Sequence, residues 1–142
     1  MSGVVFYDMP VDARLSWIAK LAERAWQRRK KMLIHCATVE DAQHIDESLW
    51  CFREDAFIPH EMIVEGQPLA DPEARIVITT VEHDPLKADI FLATSPTPSL
   101  DFAANFETVI EIVDHRDDGG LAASRERYRS WKKRGVDVAY KK

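Results

Sequence analysis

The chain has 142 residues, 46% hydrophobic and 30% charged, with a net charge of −5. That suffices for one domain, residues 1–142, with a real core, and it argues against a general nucleic-acid coat protein. The charge is uneven: over residues 120–142 eight Lys/Arg stand against only Glu126 and Asp137. A basic segment on an acidic body points to a local anionic partner, acidic protein as readily as phosphate. No apolar run approaches the roughly 18 residues needed to span a bilayer. The start, MSGVVFYDMP, lacks the basic region of a signal peptide, and Cys36 and Cys51 read as reduced thiols. A cytoplasmic protein without a membrane partner is expected.

Residues 4–7 (VVFY) form a short apolar run closed by Asp8 and Pro10, the pattern of a buried strand. Asp12 is placed to cap a helix whose stripe is Leu15, Ile18, Ala19, Ala22, Ala25 and Trp26. That helix ends in the basic cluster Arg28 to Lys31, which the helix dipole explains. Residues 32–36 (MLIHC) give a second buried strand. Thr38 with Asp41 marks the start of a helix over 39–50 whose apolar stripe is Ala42, Ile45 and Leu49. Strand, helix, strand, helix predicts a parallel sheet with crossover helices. Residues 57–64 are partly extended around Pro59, and 66–72 form a loop. Strands follow at 76–80 and 90–93, separated by a turn at 83–87. Residues 94–99 (TSPTPS) connect without regular structure, 102–106 make a helical turn, and 108–113 (TVIEIV) form a strand. After an acidic turn at 115–120 come the last helix and a short apolar strand. The expected architecture is a Rossmann-like three-layer α/β fold, with a mostly parallel sheet and helices on both faces.

The chemistry such a fold often carries finds little support. There is neither a G-x-G-x-x-G nor a G-x-x-x-x-G-K-[ST] run, so no nucleotide cofactor is expected. His35, Cys36, His44, Cys51, His60, His83 and His115 form no C-x-x-C, H-x-x-x-H or H-E-x-x-H pair, so no metal is expected. Asp8 and Asp89 flank predicted strands. With Cys36 they define the alternative, a small hydrolase-type enzyme. Both aspartates read equally well as turn residues, and Cys36 as a small core residue.

The last helix is more informative. On a helical wheel Arg125, Arg129 and Lys132 fall within about 60° of one another, with Tyr128 at their edge. Leu121, Ser124, Tyr128 and Trp131 fill the adjoining sector, which should face the protein. Such a seam suits an acidic peptide or a carboxylate with an apolar neighbour; a solvated basic helix face is the plain alternative. Trp50 lies off the stripe of its own helix. With Phe57 close behind in sequence, it marks an apolar surface patch for a protein partner, unless the Pro59 segment folds back and covers it.

The runs Ile45-Asp46-Glu47-Ser48-Leu49-Trp50, Ala56-Phe57-Ile58-Pro59-His60 and Glu65-Gly66 resemble those of the chi subunit of bacterial DNA polymerase III holoenzyme. So do Phe6-Tyr7, Asp101-Phe102-Ala103, and Arg125-Glu126-Arg127-Tyr128 followed by a basic stretch and Gly135. The resemblance spans nearly the whole chain. It implies a Rossmann-like domain that binds no nucleotide and catalyses nothing, serving in the clamp-loader assembly during DNA replication. It implies that Val113, Arg125, Tyr128, Arg129 and Lys132 grip the acidic C-terminal tail of single-stranded DNA-binding protein, so that DNA is contacted only indirectly. Trp50 and Phe57 would meet the psi subunit, another clamp-loader subunit or a helicase. Two features depart from the family pattern. Leu121 stands where the family has a basic residue, and the Asp117-Asp118 pair adds repulsion toward an acidic tail.

Overall fold

The computed structural model describes residues 1–51 and 58–142; Phe57 lies outside them. Seven strands form one sheet: β1 (Gly3–Tyr7), β2 (Met32–His35), β3 (Glu61–Met62), β4 (Ile76–Thr79), β5 (Ile90–Ala93), β6 (Thr108–Ile112) and β7 (Val138–Lys141). Their order is β3-β4-β2-β5-β6-β1-β7, and every neighbouring pair is parallel. Both faces are covered by helices, which is why the inner strands β2 and β4 are buried along their whole length and read as unbroken apolar runs.

Alternating strand residues feed two cores. Ile34, Ile78, Leu92 and Ile110 meet α1 (Arg14–Gln27) and α2 (Val39–Cys51) on one face. Phe6, Leu33, Val77, Phe91 and Val109 meet α3 (Leu100–Ala103) and α4 (Asp118–Lys133) on the other. The expected three-layer arrangement is therefore present, with a sheet that is wholly parallel. Because β1 pairs with β6 on one side and β7 on the other, α4 must cross over β1 to link β6 to β7.

Local differences from the expected elements have physical reasons. Asp12 does not cap α1; it sits inside a 3-10 turn (Val11–Ala13) that runs directly into the helix, and Ala13 in the cap position has no side-chain acceptor. Arg14 is buried and donates from Nη2 to the Thr94 carbonyl (2.9 Å). Seating Arg14 turns Leu15, about 100° further round the helix, outward; Leu21 is buried instead. Trp26 lies at the rim with the Arg75 guanidinium 3.6 Å over its ring. On α2 the expected stripe of Ala42, Ile45 and Leu49 is fully buried, and Thr38 Oγ1 accepts from Asp41 N (3.1 Å) as a cap. Helix α4 begins earlier than expected because Asp117 accepts from Gly120 N (2.6 Å), drawing the two glycines into the first turn. At Gly120 a Cβ would lie 2.6 Å from the Asp114 carboxylate, so glycine is what lets this turn approach the end of β6.

Candidate functional site

The β6–α4–β7 unit builds a recess at the carboxyl end of the sheet. Phe6 and Asp8 come from β1 and its end, Val113 and His115 from the end of β6, and Tyr140 from β7. Leu121, Ser124, Arg125, Tyr128 and Arg129 come from α4, and together these residues enclose about 450 Å³. The interior is mainly apolar. Phe6 is buried on the sheet and meets the Tyr128 ring edge-on at 5.4 Å, and Tyr128 meets Tyr140 edge-on at 5.9 Å. Edge-to-face contacts at these separations are favourable and hold Tyr128 in place as a wall of the recess.

Charge is confined to particular places around it. Arg125 is exposed and has no ion-pair partner among the described residues. Arg129 reaches Glu126 only loosely, at 3.4 Å, with both side chains mostly in solvent, so it remains available to a ligand at little cost. On the β1 side, the Asp8 carboxylate receives a hydrogen bond from the Tyr140 hydroxyl and is met by His115 Nε2. Partial burial alone would raise the Asp8 pKa, but the bonds from Tyr140 and His115 outweigh it and hold the carboxyl below its usual range. Burial and the bond to Asp8 push the Tyr140 phenol up to about 12.

The floor of the site is tied down from behind. Arg127, two residues on from Arg125 and on the other face of the helix, is buried and donates from Nε and Nη2 to Glu111 of β6 (both 2.8 Å). Its Nη1 donates to the Pro98 carbonyl, and Trp131 Nε1 donates to Glu111 Oε2 (2.7 Å). At the N-terminus of α4, Arg116 bridges Asp114 (3.0 Å) and Asp41 of α2 (2.9 Å). Burial opposes ionisation of Asp114, yet Arg116's hydrogen bonds keep its pKa lowered.

Four of the five residues expected at a peptide site, Val113, Arg125, Tyr128 and Arg129, line this recess. Lys132 does not. It stands a turn further on, its Nζ 5.6 Å over the Tyr128 ring and beside the amino-terminal ends of β1 and β7. Ser124 faces the protein as expected, with its Oγ accepting from Asp114 N (3.0 Å). The wheel placed Trp131 correctly but gave no role to Arg127, because an arginine reads as solvent-facing unless its partner, Glu111 on a strand, is recognised with it. Asp8, His115 and Tyr140 were not grouped by sequence; only the β1–β7 pairing brings Tyr140 to Asp8.

The structure does not bring together the two aspartates of the enzyme alternative. Asp8 follows β1 at the carboxyl edge, whereas Asp89 precedes β5 at the opposite edge and accepts from Lys31 N (3.0 Å). Cys36 is fully buried, and burial pushes its thiol up to about 11, away from thiolate chemistry. Among the described residues no three His, Cys, Asp or Glu side chains could hold a metal ion together, and no helix is long and apolar enough to cross a membrane.

Trp50 is 53% exposed on α2, its ring edge-on to His60 at 5.1 Å, so the Pro59–His60 segment flanks it and does not bury it. His60 in turn lies 2.9 Å from Asp46 and 2.7 Å from the Ile58 carbonyl, fixing that segment to the helix. Phe57, the other residue expected on this patch, falls outside the described residues.

Fold and recess together define a class: an all-parallel α/β protein with a cation-flanked apolar recess where its strands end, the position at which such sheets take ligands. The comparisons supply the family. The profile described as "DNA polymerase III chi subunit, HolC" matches residues 1–139. The chain is similar to the DNA polymerase III subunit chi of Pseudomonas aeruginosa, at 32% identity over 97% of this chain and 94% of that one. It is similar also to that of Escherichia coli, at 28% identity over 97% and 96% respectively, and to that of Haemophilus influenzae, at 30% over 84% and 80%. This chain belongs to the DNA polymerase III chi subunit family.

Proposed function

We propose that this chain is a single-domain, non-catalytic adaptor in the cytoplasm. It binds the acidic C-terminal tail of single-stranded DNA-binding protein in the recess beside α4, and it joins the polymerase III holoenzyme to coated template through the clamp-loader assembly. The observation that carries the reading is an apolar recess of about 450 Å³ with Arg125 and Arg129 on its border. A peptide end with an aromatic side chain beside carboxylates matches that combination. The ring enters between Phe6, Val113 and Tyr128, and the carboxylates meet the arginines, with Lys132 extending the cationic track.

Magnitudes assign the roles. Burying one aromatic side chain contributes roughly 1.5–3 kcal/mol, whereas each exposed charge pair contributes about 0.2–1 kcal/mol. The ring therefore anchors, and the cations set encounter rate and direction. A dissociation constant on the order of micromolar, weakening with salt, follows. The exposed Trp50 face, together with Phe57, is the surface for the psi subunit, another clamp-loader subunit or a helicase.

The test is fluorescence anisotropy with a labelled acidic peptide ending in Pro-Phe. Wild type should bind at low salt. Tyr128→Ala should weaken binding by more than about tenfold, since it removes a wall of the recess. An amidated peptide should also bind more weakly. Equal binding by wild type, Tyr128→Ala and the amidated peptide would remove the assignment.

A further inference from the structure

The recess contains a carboxylate that an anion-binding site has no evident use for. Asp8 lines the same cavity as Arg125 and Arg129, and it is held there by side chains from two other elements, His115 after β6 and Tyr140 on β7. Tyr140 also packs edge-on against Tyr128, so the group that anchors Asp8 is continuous with the apolar wall. The backbone is fixed at the same place, with Asp8 N donating to the Lys141 carbonyl (2.7 Å). A side chain clamped in this way cannot swing out of the recess when a ligand enters.

We infer that Asp8 is the specificity-determining residue of the recess, admitting an uncharged ring and refusing an acidic side chain at the β1 end. The inference rests on the tail-binding reading and adds to it a rule of selection. A ligand rich in acidic residues is drawn by Arg125 and Arg129 in several registers, because exposed charge pairs are only weakly directional. A fixed negative charge inside the recess penalises every register that brings a ligand carboxylate to the β1 end. The register that remains places the aromatic side chain inside and the acids along α4. Selectivity of this kind comes from a repulsive element set against the wrong ligand, not from further attraction to the right one.

The experiment compares two labelled peptides with the same acidic segment, one ending in Pro-Phe and the other in Pro-Glu. Anisotropy titrations are run on wild type, Asp8→Asn, Asp8→Ser and Arg125→Ala. Asp8→Asn keeps the shape of the side chain and loses its charge. The preference for the Phe-ended peptide should fall by about tenfold, mainly because the Glu-ended peptide binds more tightly. Asp8→Ser should move the ratio the same way, whereas Arg125→Ala should weaken both peptides and leave the ratio in place. An unchanged ratio in both Asp8 variants overturns the inference while the tail-binding reading stands. Loss of both peptides in both variants overturns it too, by making Asp8 a support of the wall and not a selector. If wild type binds neither peptide, the tail-binding reading fails and the inference fails with it.

Discussion

Arg125 and Arg127 lie two positions apart on α4 and present the same chemical group to opposite environments. Arg127 points into the sheet, where Glu111, Pro98 and Trp131 complete a buried hydrogen-bonded cluster in which Glu111 is only 2% exposed. Arg125 points along the recess into solvent. A step of two residues turns a helix by about 200°, so one sequence run, R-E-R-Y-R, supplies both the bolt that fixes α4 and the cations that meet a ligand. Charge alone does not tell the two apart. What separates them is whether a strand on the facing sheet carries a buried acid.

Removing the bolt should have the largest effect. Among the described residues Arg127→Ala leaves buried Glu111 with only Trp131 as a donor, and an uncompensated buried charge of this kind costs about 3–5 kcal/mol. Urea denaturation followed by circular dichroism measures it. Glu111→Leu combined with Arg127→Met should cost much less than the two single changes added together, because no charge is left stranded. Trp131 Nε1 would then lack an acceptor, which sets a residual penalty of about 1–3 kcal/mol. Additive losses would show that the cluster is not an energetic unit.

The same contrast explains what could be read in advance. Strand and helix positions follow from apolar runs and 3.6-residue stripes, and the stripe of Ala42, Ile45 and Leu49 is buried as periodicity requires. The seam on α4 was legible for the same reason, since the wheel puts Tyr128 between cations and core. Arg127–Glu111, Asp8–Tyr140 and Arg116–Asp41 were not legible. Each is a pair of polar groups on different elements, joined by how helices pack on the sheet or by strand order, and neither is encoded in any local pattern. The early start of α4 was hidden differently. Two glycines read as a turn until Asp117 is seen to cap them and Asp114 to occupy the space a Cβ would need.

The exposed arginine should behave in the opposite sense to the buried one. Arg125→Ala should leave the unfolding free energy within about 0.5 kcal/mol of wild type. It should weaken the Phe-ended peptide by up to about fivefold at low salt. The logarithmic dependence of affinity on salt should become shallower, because one fewer ligand charge is matched. Arg129→Ala should act in the same direction, since its loose contact with Glu126 leaves that guanidinium available to a ligand. A large stability loss in Arg125→Ala would erase the distinction between the two faces of α4.

The smallest effect concerns the clamp on Asp8, and its sign follows from the two pKa shifts. The Asp8 carboxyl is held below its usual range, despite burial, by Tyr140 and His115. Its contribution to stability is therefore present above the ordinary carboxylate range and fades as the pH falls through the lowered folded value. The Tyr140 phenol is raised to about 12 by burial and by the bond to Asp8. Its contribution is present below the ordinary tyrosine value of about 10 and is lost as the pH rises through about 12. Tyr140→Phe keeps the ring against Tyr128 and deletes only the hydroxyl. Calorimetric melting of wild type and Tyr140→Phe should thus show a modest wild-type advantage at neutral pH that shrinks at both extremes. No wild-type advantage at any pH would mean that the ring contact with Tyr128, which both proteins keep, and not the bond to Asp8, holds β7 against the recess.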